Sequence, residues 1–276
     1  MNTWLITGCS TGLGRALAQA ILKRGWNAVV TARNVAAIED ITAPYRETAL
    51  ALPLDVTKSE QIAEAIRRAK ERFDRVDVLV NNAGHGYRAA VEEADAHDVD
   101  ELFATNFFGA VALIKAVLPE MRARRQGCIV NVSSIAAQAA MPGSGYYSAT
   151  KTALEAVSDA LRKEVRPLGI RVLVVEPGAF RTNFAGGSLR QSRTAIADYS
   201  ATAGLRRKEH DTTDGTQPGD PVRGAQAIIS AVVGQAAPFR LLLGTDAVRF
   251  VRGELETQLA EVGDWEQTSA STDFVA

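Results

Sequence analysis

Short runs of aliphatic residues alternate with stretches of helical periodicity along almost the whole chain. Continuous runs of valine, isoleucine and leucine are typical of strands that are buried on both faces of a sheet. The alternation of such strands with helices predicts right-handed crossover connections and therefore a parallel sheet. We expect a doubly wound, Rossmann-like α/β fold with helices on both faces, in which ligands bind at the carboxyl ends of the strands.

The predicted elements follow one another without a linker or an internal repeat, so residues 1–276 are expected to form a single domain. About seven strands are predicted, at 4–6, 28–30, 50–54, 76–80, 129–132, 170–175 and 241–243. Helices are predicted at about 13–21, 62–69, 97–121, 146–165, 222–233 and 247–259. Residues 179–220 break this pattern and are expected to form an irregular lid over the substrate. Residues 245–276 are expected to form a C-terminal extension.

The composition gives no sign of a nucleic-acid or membrane partner. The formal net charge is −1, and no apolar run reaches the ~18 residues that suggest a spanning helix. Cys9 and Cys128 lie in or beside predicted strands, and neither has a Cys or His at metal-ligand spacing. We therefore expect no metal site and a reduced compartment. No signal-peptide pattern follows Met1, so a cytoplasmic location is expected.

A glycine-rich turn at 7–14 (TGCSTGLG) connects the first predicted strand to the first helix. Glycine lets the backbone turn tightly and approach a ligand closely, and the helix offers free N–H groups and the positive end of its dipole. This context predicts a site for the diphosphate of a dinucleotide. The spacing is G-x-x-x-G-x-G rather than G-x-G-x-x-G, and the alternative is a tight turn without a ligand.

The end of the second predicted strand indicates which dinucleotide is bound. Where NAD-preferring sites place an acidic residue, this chain has Ala32, followed by Arg33. A guanidinium can bind the additional phosphate of NADP bidentately, whereas a carboxylate would repel it. We therefore expect NADP(H) to be preferred over NAD(H), with Arg15 as a second charge. The alternative for Arg33 is an ordinary surface arginine.

Tyr147 and Lys151 stand four residues apart at the start of a predicted helix, which places them on the same face. A nearby ammonium lowers the pKa of a phenol from about 10, which would make Tyr147 an acid/base near neutral pH. Tyr146 has the uncharged Thr150 at the same spacing and is rejected for this role. Because such pairs also occur by chance in many helices, the pair alone is weak evidence.

Together with two further motifs, these residues resemble the core short-chain dehydrogenase/reductase family. The turn at 7–14 matches the family's cofactor turn, and 81–84 (NNAG) matches its motif after the fourth strand. Ser134 lies 13 residues before Tyr147, the family's separation, which selects it over Ser133. The resemblance covers about residues 3–182. The family's four catalytic positions are matched by Asn106, Ser134, Tyr147 and Lys151.

The resemblance implies an oxidoreductase that interconverts a ketone or aldehyde and an alcohol, a carbonyl reductase in the reductive direction. Tyr147 would protonate the developing alkoxide, and Ser134 would polarise the carbonyl. Lys151 would hold the nicotinamide ribose and tune Tyr147, and Asn106 would position a water that links Lys151 to solvent. Cofactor contacts are expected at Gly8, Ser10, Thr11, Gly12, Leu13, Gly14, Arg33, Asp55, Val56, Asn82, Ala83, Gly84, Tyr147, Lys151, Pro177, Gly178 and Thr182.

Structural roles are the alternative for some of these residues. Asn82 and Gly84 could hold backbone geometry, and Asn106 could satisfy a kink in its helix. His85 is either a second proton donor or a polar wall residue, and the second interpretation is favoured. Substrate contacts are expected at His85, Gln138, Met141 and Phe184. The lid arginines either meet an acidic group of the substrate or are exposed charges, with exposure favoured: Arg190, Arg193, Arg206 and Arg207.

Two rival functions are weighed against this interpretation. A regulatory protein that senses NADPH without turnover needs the glycine turn but not the acid/base residues. A dehydratase or epimerase on the same fold usually needs a larger substrate domain. By analogy with the family, we expect a small-molecule substrate and a homodimer or homotetramer formed through the helices at 97–121 and 147–166.

Overall fold

The computed structural model describes residues 3–213, 215–234 and 237–274, and in this part of the chain nine strands and ten helices are found. The strands are β1 (Thr3–Ile6), β2 (Asn27–Ala32), β3 (Ala49–Pro53), β4 (Val78–Asn81), β5 (Gly86–Arg88), β6 (Gly127–Val132), β7 (Ile170–Pro177), β8 (Leu189–Gln191) and β9 (Arg240–Leu243). The helices are α1 (Gly12–Lys23), α2 (Glu39–Thr42), α3 (Ser59–Phe73), α4 (Ala96–Phe103), α5 (Gly109–Arg124), α6 (Gly145–Val165), α7 (Phe184–Gly187), α8 (Ala203–Thr213), α9 (Pro221–Val233) and α10 (Thr245–Ala270).

Seven strands form one sheet in the order β3-β2-β1-β4-β6-β7-β9, and every pair in it is parallel. This arrangement confirms the predicted doubly wound fold. The strand order reverses at β1, because β2 lies on one side of it and β4 on the other. Such a reversal opens a crevice at the carboxyl ends of the strands. The predicted glycine turn and the predicted catalytic residues Ser134 and Tyr147 follow strands that end at this crevice.

The core lies on both faces of the sheet, as the continuous aliphatic strands predict. In β1, Ile6 packs with α1 and α9 on one face, while Leu5 packs with α3, α5 and α6 on the other. Both residues are fully buried. Burial on two faces fixes the register of the central strands and therefore the position of the loops that follow them.

The helix predicted at 97–121 is interrupted. A π-helical turn, Ala104–Phe108, separates α4 from α5. The run Ala96–Arg124 is long and apolar enough to cross a bilayer by length and composition, although the sequence was expected to hold no such segment. Its residues Leu113, Val117 and Met121 are buried against the sheet. One face of the run therefore packs against the sheet, and 39% of its apolar window is buried in this structure.

The segment 179–220 is more ordered than predicted. It contains α7, β8 and α8, and β8 pairs with β5 in a small parallel sheet. The expected irregularity was wrong, because three-residue strands and a four-residue helix are too short to show a periodic pattern and α8 is weakly amphipathic. The role of the segment as a substrate lid stays a prediction. The last helix also extends beyond the predicted end at 259, to Ala270.

Candidate active site

The glycine turn packs so closely against the segment after β4 that a side chain at Gly8 or Gly14 would clash with it. Gly8 has a φ of +69°, a backbone conformation that favours glycine. A Cβ at Gly14 would lie 2.3 Å from Asn82 Nδ2, and one at Gly8 would lie 2.8 Å from the Ala83 Cα. Thr11 precedes α1 without capping it through its side chain. The first N–H groups of α1 therefore remain available to an anion, and the turn fits the diphosphate of a dinucleotide.

Asn82, directly after β4, is hydrogen-bonded to the start of this turn. Its Nδ2 donates to the carbonyl oxygens of Thr7 and Gly8 at 2.8 and 3.1 Å. The Thr7 hydroxyl accepts hydrogen bonds from the N–H groups of Asn82 and Ala83, both at 2.9 Å. Asn82 thus holds backbone geometry, which was the structural alternative for this residue. Direct contacts of Asn82 and Ala83 with the cofactor remain a prediction.

The end of β2 carries no acidic side chain. Ala32 is buried there, and the Arg33 side chain is exposed, with no ion pair to a carboxylate among the described residues. Arg15 does not supply a second free charge, because its guanidinium pairs with Asp40 and donates to the Ala37 carbonyl oxygen. The Arg33 guanidinium is therefore available to bind a phosphate at the carboxyl end of β2.

Asp55 and Val56 follow β3 at the same edge of the sheet. The Asp55 Oδ1 accepts from the backbone N–H and the hydroxyl of Thr57 at 2.9 and 2.8 Å. Partial burial acts to raise the pKa of Asp55, but these hydrogen bonds and the charge of Arg33 hold it below its usual value. The carboxylate is thus ionised and can accept a hydrogen bond. Val56 is buried.

Tyr147, Ser134 and Lys151 converge where β6 ends and α6 begins. The Ser134 side chain lies near enough to Tyr147 to lower the pKa of its phenol, and the Lys151 Nζ lies 5.8 Å from the centre of the Tyr147 ring. The same Nζ donates to the Val132 carbonyl oxygen at 2.9 Å. This bond fixes the ammonium group at the carboxyl end of β6. A hydroxyl, a phenol and an ammonium group therefore face one place beside the glycine turn.

The rejected neighbours of these residues point elsewhere. The Ser133 hydroxyl donates to Glu155 at 2.6 Å inside the protein. The Tyr146 hydroxyl donates to the Val91 carbonyl oxygen at 3.3 Å on the surface. The choice of Ser134 over Ser133 and of Tyr147 over Tyr146 thus agrees with where the structure places them.

The electrostatics of the pair differ from the sequence prediction. Burial raises the pKa of the Tyr147 phenol, while the Ser134 side chain and the charge of Arg88 act in the opposite direction. Burial lowers the pKa of Lys151 to about 8. Arg88 is the cation whose charge acts on the phenol pKa, while the Lys151 ammonium group donates to the Val132 carbonyl oxygen. Tuning of Tyr147 by Lys151 stays a prediction.

Asn106 lies in the π-helical turn and is 1% exposed. Its Oδ1 accepts from the His85 N–H at 3.0 Å, and its Nδ2 donates to the His85 carbonyl oxygen at 2.9 Å and to Thr150 at 3.2 Å. A Cβ on Gly84 would lie 3.0 Å from this Oδ1 and 3.6 Å from the Lys151 Nζ. Asn106 therefore fixes the backbone beside Lys151. Its role in positioning a water remains a prediction.

The segment after β7 closes over the glycine turn. A Cβ on Gly178, which follows Pro177, would lie 2.3 Å from the Asp246 carboxylate. A Cβ on Gly12, which has a φ of +63°, would lie 3.3 Å from the Thr182 Cβ. The structure thus brings Thr182 against the predicted diphosphate turn. Ser10 and Leu13 belong to the same turn, and Leu13 is buried.

Two of the four predicted substrate contacts lie at the site. The Phe184 ring centre is 6.0 Å from that of Tyr147. Burial lowers the pKa of His85 to about 4, with the charge of Arg190 acting in the same direction. His85 is therefore neutral at physiological pH, which suits a wall residue and not a second proton donor.

The other two predicted contacts lie in the loop before α6. The Gln138 Nε2 donates to Glu155 and Glu176 at 3.1 and 3.2 Å, so this amide faces the protein interior. The Met141 carbonyl oxygen accepts from the Ser144 N–H at 3.0 Å. Substrate contact by either side chain stays a prediction.

The lid arginines are not all exposed charges. Arg207 forms an ion pair with Glu93 at 2.6 Å, and the two side chains are 14% and 3% exposed. Exposure was therefore the wrong interpretation for Arg207. Arg190 pairs with Glu101 near the surface, and Arg193 is exposed.

A buried acidic pair beside the site was not predicted. Glu155 and Glu176 share the Arg240 Nε, which lies 3.0 and 3.2 Å from their oxygens. Burial and the charge of Glu155 raise the pKa of Glu176 to about 7. The available signal was a charged residue inside an aliphatic strand, β7, because such residues are rarely fully buried unless they are paired.

Comparisons with known proteins agree with this geometry. The family model described as short chain dehydrogenase matches residues 2–193. The oxidoreductase BOA17 of Botryotinia fuckeliana is 34% identical over 270 residues, which cover 98% of each chain. The crystal structure of a short-chain dehydrogenase from Streptomyces avermitilis is 43% identical with a TM-score of 0.93, and the match covers 99% of this chain and 98% of that one. An alcohol dehydrogenase from Thermococcus sibiricus, solved with 5-hydroxy-NADP, is 27% identical with a TM-score of 0.72, over 88% and 96% of the two chains.

Proposed function

The chain belongs to the short-chain dehydrogenase family and is an oxidoreductase, and on this premise we propose that it interconverts a ketone or aldehyde and an alcohol, with NADP(H) as the cofactor and Tyr147 as the acid/base. The observation that carries the proposal is the convergence of Tyr147, Ser134 and Lys151 beside the glycine turn. The phenol can supply a proton to one oxygen atom of the substrate, and the hydroxyl can donate a hydrogen bond to the same atom. The ammonium group supplies positive charge beside the phenol.

When bound, the nicotinamide supplies a hydride in reduction and accepts one in oxidation. In the reductive direction, Tyr147 donates its phenol proton to the carbonyl oxygen as negative charge develops there. Because burial keeps the phenol protonated, Tyr147 is in the correct state for this step at neutral pH. Ser134 donates a hydrogen bond to the same oxygen. Ser134 and the charge of Arg88 act to stabilise the phenolate left behind, and Lys151 adds its positive charge 5.8 Å from the ring centre.

NADP(H) is proposed over NAD(H) because of the charges at the end of β2. Ala32 leaves no carboxylate to repel an additional phosphate, and the exposed Arg33 offers a guanidinium to bind it. The Thermococcus sibiricus relative, solved with an NADP derivative, supports a nicotinamide cofactor, and the choice of NADP(H) over NAD(H) rests on Ala32 and Arg33. Asn106, through its bonds to His85, keeps the backbone next to Lys151 in place.

A screen of ketones, aldehydes and secondary alcohols, followed by the absorbance of reduced nicotinamide, tests this function. Tyr147→Phe is expected to lower kcat by about 1,000-fold or more while NADPH binding is retained. Tyr146→Phe removes a neighbouring hydroxyl that faces the surface and is the matched control, with unchanged kcat.

Two outcomes would contradict the proposal. Tight NADPH binding without turnover of any compound would favour a regulatory sensor. A product in the same redox state as its substrate would favour a dehydratase or epimerase.

A further inference from the structure

Arg88, the last residue of β5, is a partly buried cation without a counter-charge among the described residues. Its guanidinium donates to the Ser144 hydroxyl, and the neighbouring Ala89 N–H donates to the Gly143 carbonyl oxygen at 3.1 Å. The Arg88 Nε is buried and has no hydrogen-bond partner in the part of the chain that the structure describes. Burial lowers the pKa of Arg88, and no described carboxylate opposes this effect.

The guanidinium lies beside the proposed acid/base. Ser144, which accepts its hydrogen bond, directly precedes α6, and Tyr147 is in the first turn of that helix. On the other side, a Cβ at Gly86 would lie 3.1 Å from the ring of Phe184, which packs on Tyr147. Arg88 and Tyr147 are near enough for each charge to shift the pKa of the other.

Arg206, on α8, is a second partly buried arginine near Arg88, and burial together with the charge of Arg88 lowers its pKa to about 10.

Arg207, the residue after Arg206, shows how this chain stabilises a buried arginine. Its guanidinium has the buried carboxylate of Glu93 at 2.6 Å. A buried charge without such a partner is costly, since solvation is lost and nothing replaces it. The chain provides a carboxylate for Arg207 and none, among the described residues, for Arg88. The partner of Arg88 is therefore sought in the molecule that binds at Tyr147.

We propose that Arg88 binds a carboxylate of the substrate, so that the compound reduced at Tyr147 is an oxo-acid and its product a hydroxy acid. The planar guanidinium can take a carboxylate through two hydrogen bonds, while Ser144 holds its other side. The inference rests on the function proposed above, and it names the substrate class of that same site.

The test compares oxo-acids with their uncharged methyl esters at matched carbon skeletons. Pyruvate, acetoacetate and levulinate place the carboxylate at three distances from the carbonyl. With NADPH, the wild-type protein is expected to favour at least one acid over its ester. Arg88→Met is expected to lower kcat/KM for that acid by roughly 30-fold or more, mainly through KM, because a charge-assisted bond is lost. For the ester, the same substitution is expected to lower kcat/KM by a smaller factor, through the pKa of Tyr147, so that the acid-to-ester ratio of kcat/KM falls by about 10-fold or more.

Two further variants control for charge and folding. Arg193→Met removes an exposed arginine from the segment 179–220 and is expected to leave the kinetics with both acid and ester unchanged. Arg88→Lys keeps the charge but not the planar pair of donors, and is expected to restore part of the acid preference. The Tm of Arg88→Met is expected to equal or exceed that of the wild type, because an uncompensated buried charge has been removed. A lower Tm with equal losses on acid and ester would show that Arg88 only holds the loop at Gly143.

The remaining outcomes separate this inference from the proposed function. Equal turnover of acids and esters, or turnover of neutral ketones alone, would overturn the role of Arg88 and leave the oxidoreductase function in place. Equal loss on acid and ester with a shifted pH profile would show that Arg88 tunes Tyr147 instead. If no carbonyl compound is reduced, the proposed function fails. Calorimetric titration with levulinate and its methyl ester then measures binding without turnover, in NADP-saturated wild type and Arg88→Met. Levulinate that binds the wild type no more tightly than it binds Arg88→Met would overturn the role of Arg88.

Discussion

Burial is the largest influence on the pKa of Tyr147, the proposed acid/base. It raises the pKa of the phenol, whereas Ser134 and Arg88 act to lower it. A group that must give up a proton in one direction and accept it in the other needs both kinds of influence. The Lys151 ammonium, whose pKa burial lowers to about 8, is held by the Val132 carbonyl oxygen within reach of the ring.

The preference for NADPH is the first prediction at the residue scale. Arg33→Ser is expected to lower kcat/KM for NADPH by about 10- to 100-fold and to change that for NADH little, because a charge-assisted bond to the additional phosphate is lost. Steady-state kinetics with both cofactors measure this. Arg68→Ser, an exposed arginine on α3, is the control for loss of a charge. A wild-type protein that used NADH as well as NADPH would contradict the assignment.

The acidic pair gives a prediction about stability and pH. The pKa of buried Glu176 is raised to about 7 by burial and by Glu155, with Arg240 and Gln138 opposing. Between pH 4.5 and 7 the folded state holds a proton that the unfolded state has released, so the free energy of unfolding falls as the pH rises through this window. Glu176→Gln removes this dependence and is expected to stabilise the protein by about 1–3 kcal/mol at pH 8.

Urea unfolding at pH 5 and pH 8 measures this effect, and the gain is expected at the higher pH. The exposed Glu266→Gln on α10 serves as the control for the charge change. Loss of stability in Glu176→Gln at pH 8 would instead show that the ionised carboxylate is needed by Arg240.

At the scale of elements, the interrupted helix 96–124 connects the cofactor edge to the catalytic residues. Its π-helical turn presents Asn106 to the His85 backbone. One turn later, Gly109 lies against Val56 in the loop after β3, where a Cβ would be 2.7 Å from the Val56 carbonyl oxygen. The helix therefore packs on the loop through a contact that only glycine permits.

Two glycine-to-alanine variants test this packing against helix propensity. Gly109→Ala is expected to destabilise the protein by about 1–3 kcal/mol, since the Val56 backbone must move. Gly253→Ala, in α10, is expected to stabilise by about 0.5–1 kcal/mol, because a Cβ there would meet no atom of the described residues within 4 Å. Chemical denaturation measures both. Equal effects of the two substitutions would mean that the contact with Val56 is unimportant.

How much of this could be predicted differs between elements. The central strands could be predicted from the sequence, because runs such as 170–175 are aliphatic throughout most of their length and need burial on both faces. The pairing of β5 with β8 could not, because each has three residues and its partner lies about 100 positions away along the chain. The π-helical turn lies where a kink at Asn106 was weighed as an alternative, but the contacts of Asn106 with the His85 backbone arise from tertiary packing.

The same limit applies to the candidate site. The pair Tyr147 and Lys151 was predicted from its spacing and Ser134 from the family resemblance, and the structure brings the three residues close to one another. The isolated charge of Arg88 and the shared bonds of Arg240 arise only from tertiary packing. Sequence spacing carries no information on such contacts.

At the scale of the whole molecule, the fold places the glycine turn after β1 and the catalytic residues after β6 around one crevice. The sheet order makes this possible, because β4 separates β1 from β6 and all three strands end at the same edge. The assembly of the chain into a homodimer or homotetramer remains an expectation from the family resemblance, which sedimentation measurements can test.

The central claim is that Tyr147 donates the proton to the carbonyl oxygen when hydride is transferred to the carbonyl carbon at this crevice. The most direct test uses C4-deuterated NADPH in a single turnover and follows deuterium in the alcohol product by mass spectrometry. The wild type and Tyr146→Phe are expected to label the product, and Tyr147→Phe is expected to bind the cofactor while labelling about 1,000-fold more slowly. Labelling by Tyr147→Phe at the wild-type rate would contradict the account.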